Sequence, residues 1–138
     1  MSSTMTLGSL ESKYGTALLD HLDREVTIPI LDAPQTQGDL GVLPAAFKRI
    51  SKQATTPVPP EGTVVIEGQH DHRLLGDGPI FFDRPRGMTM PSIGVLRVPE
   101  GSVAWLAHAE HGYLGVAPGD YWISGQREWA GEWRRIAD

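Results

Sequence analysis

Histidine is scarce in this chain, and most of it occurs as two close pairs. Four of the five histidines form the pairs His70/His72 and His108/His111. Imidazole nitrogens bind divalent transition metals, and because the chain has no cysteine, such a site must be built from histidine and carboxylate. The pairs predict a divalent metal site with four candidate ligands: His70, His72, His108 and His111. Zinc is the first expectation, and iron, manganese and nickel suit the same donors.

The spacing within each pair indicates how the imidazoles could share one ion. On a regular strand, residues i and i+2 face the same side about 6.5–7 Å apart, so His70 and His72 could reach a common point. The second pair precedes Gly112, and a turn there would direct both rings back toward the sheet. Three protein ligands would leave a position open for Lewis-acid or metal-hydroxide chemistry, whereas four would make the site structural.

Glu110 lies inside the second pair and is the candidate catalytic residue. A carboxylate there could act as a general base, coordinate the ion, or orient a histidine ligand. Two other interpretations of the histidines stay open. They could serve only in hydrogen bonds, or they could perform metal-free acid–base chemistry, for which the pKa of histidine is suited.

An amphipathic pattern near the N-terminus predicts one helix over 9–24. Leu10, Tyr14, Leu18 and Leu22 recur every four residues, which places them on one helical face. Ser9 is the expected N-cap. Residues 1–8 are rich in Ser and Thr and are expected to be a disordered tail.

The remainder, 25–138, is predicted to be a single β domain. Short β-type runs at 63–67, 93–98, 102–108 and 113–117 alternate with turn-forming Gly and Pro, of which the chain has 16 and 11. Strands this short with frequent turns indicate a mainly β fold, a small antiparallel barrel or sandwich with an N-terminal helix. The turn at 36–39 and the Pro-rich stretch at 47–60 are expected to be surface connections.

The first histidine pair resembles the metal-binding motif of the cupin superfamily of small β-barrels. A strand-borne His-x-His, followed later by Pro99 and Gly101 in a Pro-x-Gly element, is similar to the two cupin motifs. The resemblance implies a barrel with one divalent metal. The sequence departs from it where cupins place a glutamate, here Leu75 or Gly76, and where the second motif places a histidine, here Ala104.

A wider resemblance, over roughly the last 75 residues, is to a family of small uncharacterised bacterial proteins. Four short elements carry it, and it implies the same site without an activity. The elements comprise Gly68, His70, His72 and Arg73; His108, Glu110 and His111; Pro118, Gly119 and Tyr121; and Gln126, Arg127 and Glu128.

The composition of the chain limits the classes of partner that it is expected to bind. With 12 Lys and Arg against 17 Asp and Glu, the net charge of −5 makes nucleic acid an unlikely partner. No apolar run approaches the roughly 20 residues of a membrane span, and no basic leader precedes an apolar core, so a cytoplasmic protein is predicted. A small-molecule ligand is compatible with an open metal site.

A non-catalytic accessory module is the alternative function. In this hypothesis the histidines stabilise the sheet, and the protein self-associates or binds a protein partner. The contacts would come from the N-terminal helix or from a C-terminal segment with Trp129, Trp133, Arg134 and Arg135.

Overall fold

Two five-stranded sheets stack as a sandwich in a computed structural model that describes residues 5–86 and 92–125. One sheet (sheet I) has the order β3-β11-β10-β7-β6, and the other (sheet II) has the order β4-β5-β12-β9-β8. The elements are β1 (Met5–Thr6), α1 (Leu7–Tyr14), β2 (Thr27–Ile28), β3 (Ile30–Leu31), β4 (Gln35–Gln37), β5 (Leu40–Pro44), β6 (Thr63–Ile66), β7 (His72–Asp77), β8 (Phe81–Asp83), β9 (Ser92–Val98), β10 (Val103–His108), β11 (Gly112–Val116) and β12 (Gly119–Gly125).

The mainly β prediction with an N-terminal helix is confirmed, and of the two architectures expected the structure is a sandwich. Within the described residues the sheets end in separate edge strands and do not close into a barrel. Strand pairing is antiparallel in both sheets except for β3, which runs parallel to β11.

The central strand of sheet I, β10, has apolar side chains on both of its faces. Successive side chains of β10 point to opposite faces. Ala104 and Leu106 enter the core between the sheets, whereas Trp105 and Ala107 pack on the outer face under α1. Burial on both faces accounts for a strand without polar alternation. The helix thus buries its apolar side chains against sheet I.

The helix is shorter than the predicted 9–24, since α1 spans Leu7–Tyr14. Its N-cap is Thr6, whose hydroxyl accepts the Ser9 N–H, while the Ser9 hydroxyl accepts the Thr6 N–H. Ser9 therefore belongs to the capping box and is not the N-cap. Gly15 ends the helix with a left-handed φ of 78° and donates its N–H to the Glu11 carbonyl.

The apolar pattern beyond Gly15 has a different cause. Leu18 and Leu22 leave the helix but still pack on the outer face of sheet I, which reproduces the spacing of a longer helix. The predicted disordered tail is wrong for 5–8, which form β1 and the start of α1. Residues 1–4 and the C-terminal segment from 126, including the Gln-Arg-Glu element and Trp129, lie outside the described residues. None of the helices described has the length and apolarity of a membrane span.

Candidate functional site

The histidine rings gather at one end of the sandwich. His108 ends β10 and lies between the others, with ring centroids 4.3 Å from His72, 4.8 Å from His111 and 5.9 Å from His70. Three connections meet there: the β6–β7 loop, the β10–β11 turn and the β4–β5 hairpin. The two pairs, 36 or more residues apart in the chain, thus form one cluster, as the sequence analysis required.

The placement of His70 and His72 relative to β7 differs from the expectation in one respect. His70 lies in the loop before β7, and His72 is the first residue of that strand, so the pair does not share the face of a regular strand. His72 is almost fully buried, with 2% of its surface exposed, whereas His70 is half-buried at the rim. The turn expected after His108 is present and returns the chain to β11.

Gln37 fixes the orientation and the tautomer of His72. The Gln37 side chain is buried, and its Nε2 donates to the Leu106 and Gly112 carbonyls at 2.9 and 3.0 Å. Since carbonyls only accept, Gln37 Oε1 must be the acceptor for His72 Nδ1, 2.9 Å away. His72 therefore carries a proton on Nδ1, which is the arrangement that leaves Nε2 free to coordinate a metal.

That Nε2 faces a carboxylate. Asp39 Oδ1 lies 3.0 Å from His72 Nε2, although Asp39 itself is largely exposed. Burial lowers the pKa of His72, an effect that the neighbouring Asp39 only partly opposes. A neutral His72 with its proton on Nδ1 would direct a lone pair at the carboxylate, which is unfavourable. The contact becomes favourable when either a proton or a metal ion lies between the two atoms.

His108 has the opposite tautomer. Its Nδ1 accepts the backbone N–H groups of Glu110 and His111, both at 3.2 Å. The proton of the neutral ring is therefore on Nε2. Burial and the neighbouring imidazoles lower the pKa of His108, so the neutral form is favoured. With one nitrogen protonated and the other accepting two hydrogen bonds, His108 is suited to holding the 109–111 turn.

The second carboxylate–imidazole pair, Glu110 and His111, lies at the exposed edge of the histidine cluster, here called the rim. His111 Nε2 is 3.3 Å from Glu110 Oε1, and the two side chains are 42% and 52% exposed. The His111 ring packs against Gly38, which precedes Asp39 in the β4–β5 hairpin. Rim and hairpin are therefore in contact, which brings the two carboxylates to the same end of the sandwich.

Replacing Gly38 with alanine is expected to displace His111. Gly38 has a φ of 59°, and an added Cβ would lie 2.8 Å from Cδ2 and Nε2 of that ring. The left-handed backbone alone costs a non-glycine residue about 1–2 kcal/mol. Gly101→Ala is the matched control, because its φ is 86° but nothing lies within 4 Å of the added Cβ. Both should lower the stability to urea, and only Gly38→Ala should shift the NMR signals of the His111 ring.

These side chains line an open cleft of about 670 Å³. Its wall consists of Leu19, Gly38, Asp39, Ile66, Glu67, Gly68, Gln69, His70, His72, His108, Glu110 and His111. All four predicted ligands and the predicted catalytic Glu110 are thus brought together. Across residues 5–86 and 92–125, however, no three His, Asp or Glu side chains are arranged to hold one ion. The rings converge, but their donor atoms do not, and the metal site stays a prediction.

Three residues at this end of the sandwich were not singled out by the sequence analysis. Gln37 and Asp39 lie in a segment that reads as an ordinary hairpin turn, and His21 fell within the predicted helix. His21 Nε2 is 3.1 Å from the Glu110 carbonyl oxygen, so the fifth histidine also reaches this end of the molecule. Asp77 lies at the end of β7 far from His72 and pairs with Lys13, so this carboxylate does not belong to the cluster.

Comparison with known families gives one match. The model described as "Domain of unknown function (DUF8820)" matches residues 36–126, a range that includes every residue lining the cleft except Leu19. Searches of curated proteins and of solved structures found no match. The expectation of an uncharacterised family is therefore confirmed at the level of the domain, whereas the cupin likeness and a bacterial distribution stay predictions.

Proposed function

The chain belongs to the DUF8820 family of domains of unknown function, and we propose that it binds a divalent transition-metal ion in the histidine cleft. Zinc is the first candidate, followed by iron, manganese and nickel. The observation that carries the proposal is the contact between His72 Nε2 and Asp39 Oδ1 at 3.0 Å, on a ring whose other nitrogen donates to Gln37.

Metal binding would resolve the electrostatic conflict in that contact. A cation between the Nε2 lone pair and the carboxylate is attracted by both groups, whereas a proton must be taken up by a buried imidazole whose pKa is lowered. The buried amide of Gln37 supports His72 as carbonyl and carboxylate groups support metal-ligating histidines in general. His72 and Asp39 are accordingly the first two ligands that we assign.

The remaining ligands come from the rim. His111 and Glu110 are about half exposed, so their side chains can rotate toward an ion at His72 without disturbing the core. His70 is the next candidate, since it lines the same cleft. His108 is assigned a supporting role, because its Nδ1 accepts two backbone hydrogen bonds and its Nε2 carries the proton.

An ion held at the mouth of an open cleft would keep a position for water or a small polar ligand. Bound zinc lowers the pKa of a coordinated water and polarises carbonyl oxygens. Where His111 and His70 complete the ligand set, Glu110 stays uncoordinated and would be the candidate general base beside the ion. Metal-free general-base catalysis by His72 is less well supported, because burial lowers the pKa of its imidazole and makes it a weaker base.

Zinc titration of the metal-depleted, untagged protein is the direct test. We expect one equivalent of zinc to bind, as measured by isothermal titration calorimetry at neutral pH, where the ligands that we assign carry no proton at the coordinating atom. Elemental analysis of protein purified without a chelator should find a transition metal. Less than about 0.2 equivalents of any metal, together with no uptake on titration, would refute the proposal.

Asp39→Asn is expected to weaken zinc binding by about 10–100-fold, because a neutral amide replaces a charged ligand. Glu67→Gln is the matched control: it removes the same charge from the same cleft without touching His72. We expect its zinc affinity to change by less than about threefold, as for a screened surface charge. Equal losses in the two variants would mean that the cleft attracts cations only through its overall charge.

A further inference from the structure

Residues 18–24, here called the strap, cross the rim of the cleft from outside the region that matches the family model. They follow α1 and lie on the β10–β11 turn. Leu19 donates its backbone N–H to the Ala109 carbonyl at 2.9 Å, and its side chain lines the cleft. His21 donates from Nε2 to the carbonyl of Glu110 at 3.1 Å. Two successive residues of the turn that bears His108 and His111 are thus bonded to the strap.

The strap has no regular secondary structure, and one side chain holds its shape. Arg24 Nη1 donates to the Leu19 and Leu22 carbonyls at 2.7 and 2.8 Å, and Nη2 donates to the Leu18 carbonyl at 2.8 Å. All three acceptors are backbone groups within the strap. A guanidinium suits this task because its donors are fixed in one plane.

Arg24 is in turn held by α1. Its Nε and Nη2 donate to the two carboxylate oxygens of Glu11 at 3.1 and 3.3 Å, and Glu11 Oε2 also accepts the Leu18 N–H. The hydrogen bond from Arg24 is the main cause of the lowered pKa of Glu11. The Arg24 carbonyl accepts the Gly8 N–H at 2.9 Å. The strap is therefore fastened to the helix at both of its ends.

We propose that the strap governs access to the cation site, with Arg24 and His21 as positioning residues that keep it on the rim. The inference rests on the proposed metal-binding function. Arg24 sets the path of the strap, His21 fixes its contact with the Glu110 backbone, and Leu19 narrows the mouth. The strap also restrains the 109–111 turn, and so limits where the half-exposed Glu110 and His111 can move when an ion binds.

Two measurements on the full-length chain test the strap. The first is the rate at which diethyl pyrocarbonate modifies the two buried cleft histidines, His72 and His108, of the metal-free protein, followed by peptide mass spectrometry. The second is the rate at which EDTA removes zinc from the loaded protein. Arg24→Met and His21→Ala should each raise both rates by about fivefold or more, since losing hydrogen bonds to the strap raises the population of its open state.

Lys13→Met is the matched control for Arg24→Met. Lys13 is also a cation of the N-terminal segment in an ion pair, 3.7 Å from Asp77, but it does not touch the strap. Both rates should stay at the wild-type value in this variant. His21→Ala changes an exposed side chain, so it tests the strap even if Arg24→Met folds poorly.

The outcomes separate the two proposals. Wild-type modification rates in both Arg24→Met and His21→Ala would overturn the role of the strap, whether or not zinc binds. Faster modification in Arg24→Met alone, accompanied by a loss of global stability, would also count against it. Failure of the wild type to bind zinc would refute the metal site, while faster modification of the metal-free variants would still identify the strap as the cover of the cleft.

Discussion

Gln37→Leu is expected to lower the free energy of unfolding of the metal-free protein by about 3 kcal/mol. Leucine matches the volume of glutamine, so packing changes little. The variant removes the three hydrogen bonds that Gln37 makes, to the carbonyls of Leu106 and Gly112 and to the Nδ1–H of His72. Each lost hydrogen bond costs about 1 kcal/mol, and a buried donor left without an acceptor, here the His72 Nδ1–H, costs about 1–3 kcal/mol.

Gln35→Leu is the control that separates this network from the general cost of removing a buried amide. Gln35 lies two residues earlier on β4, is also buried, and donates one hydrogen bond, to the Gly115 carbonyl at 2.9 Å. Its replacement should cost about 1 kcal/mol, the usual net worth of one hydrogen bond. Urea denaturation in EDTA measures both variants. Equal losses would mean that Gln37 does not organise the cluster as described.

The same comparison reports on the proposed site. Without Gln37, the His72 ring can flip or change tautomer, so zinc affinity should fall by about 10–100-fold, as it does when the supporting partners of metal ligands are removed. Gln35→Leu should leave zinc affinity near that of the wild type, because Gln35 contacts β11 away from the cleft. A stable Gln37→Leu protein that binds zinc normally would contradict the assigned role of His72.

The layered architecture could be predicted from sequence because local signals and the tertiary structure agree. Pro99 and Gly101 lie between β9 and β10, and Pro118 lies between β11 and β12, as the alternation of short β-type runs with Gly and Pro predicts. Gly15 was the sequence signal for the end of the helix, because glycine is favoured at the C-terminal cap, where the backbone adopts a left-handed conformation. The apolar residues beyond it, Leu18 and Leu22, belong to the same outer cluster as the helix. Burial alone therefore does not distinguish a helix from an irregular segment packed on a sheet.

The site could be predicted only in part. Histidine is rare enough for two pairs to be noticed, and their meeting in space follows from the topology that places β7 beside β10. Gln37 and Asp39 carry no comparable signal, because aspartate is common in turns and glutamine is an ordinary residue of protein surfaces. Their contact with His72 joins residues 33 and 35 positions apart and crosses from sheet II to sheet I. Such a contact depends on how the two sheets stack, and local pattern does not encode that.

Acidification supplies a second test of the cluster, one that needs no ligand. His72 and His108 are both buried, and burial is the main cause of their lowered pKa values. As pH falls through about 6.5, the usual pKa of histidine, the unfolded chain binds protons that the folded protein does not. The free energy of unfolding must therefore decrease with falling pH in this window, until the lowered pKa values of the folded state are passed.

The expected slope of the free energy of unfolding against pH follows from the number of protons that the unfolded chain binds and the folded protein does not. Two histidines that remain neutral in the folded state give at most about 2.7 kcal/mol per pH unit below 6.5. His72→Leu removes one of them, so in EDTA its slope should be smaller by up to about 1.4 kcal/mol per unit. Gln35→Leu is the control here too, because it lowers stability without removing a titrating group. Urea denaturation between pH 5 and 8 measures the slopes. If His72→Leu has the wild-type slope, His72 takes up its proton in the folded state, and its contact with Asp39 is an ordinary ion pair with no conflict for a metal to resolve.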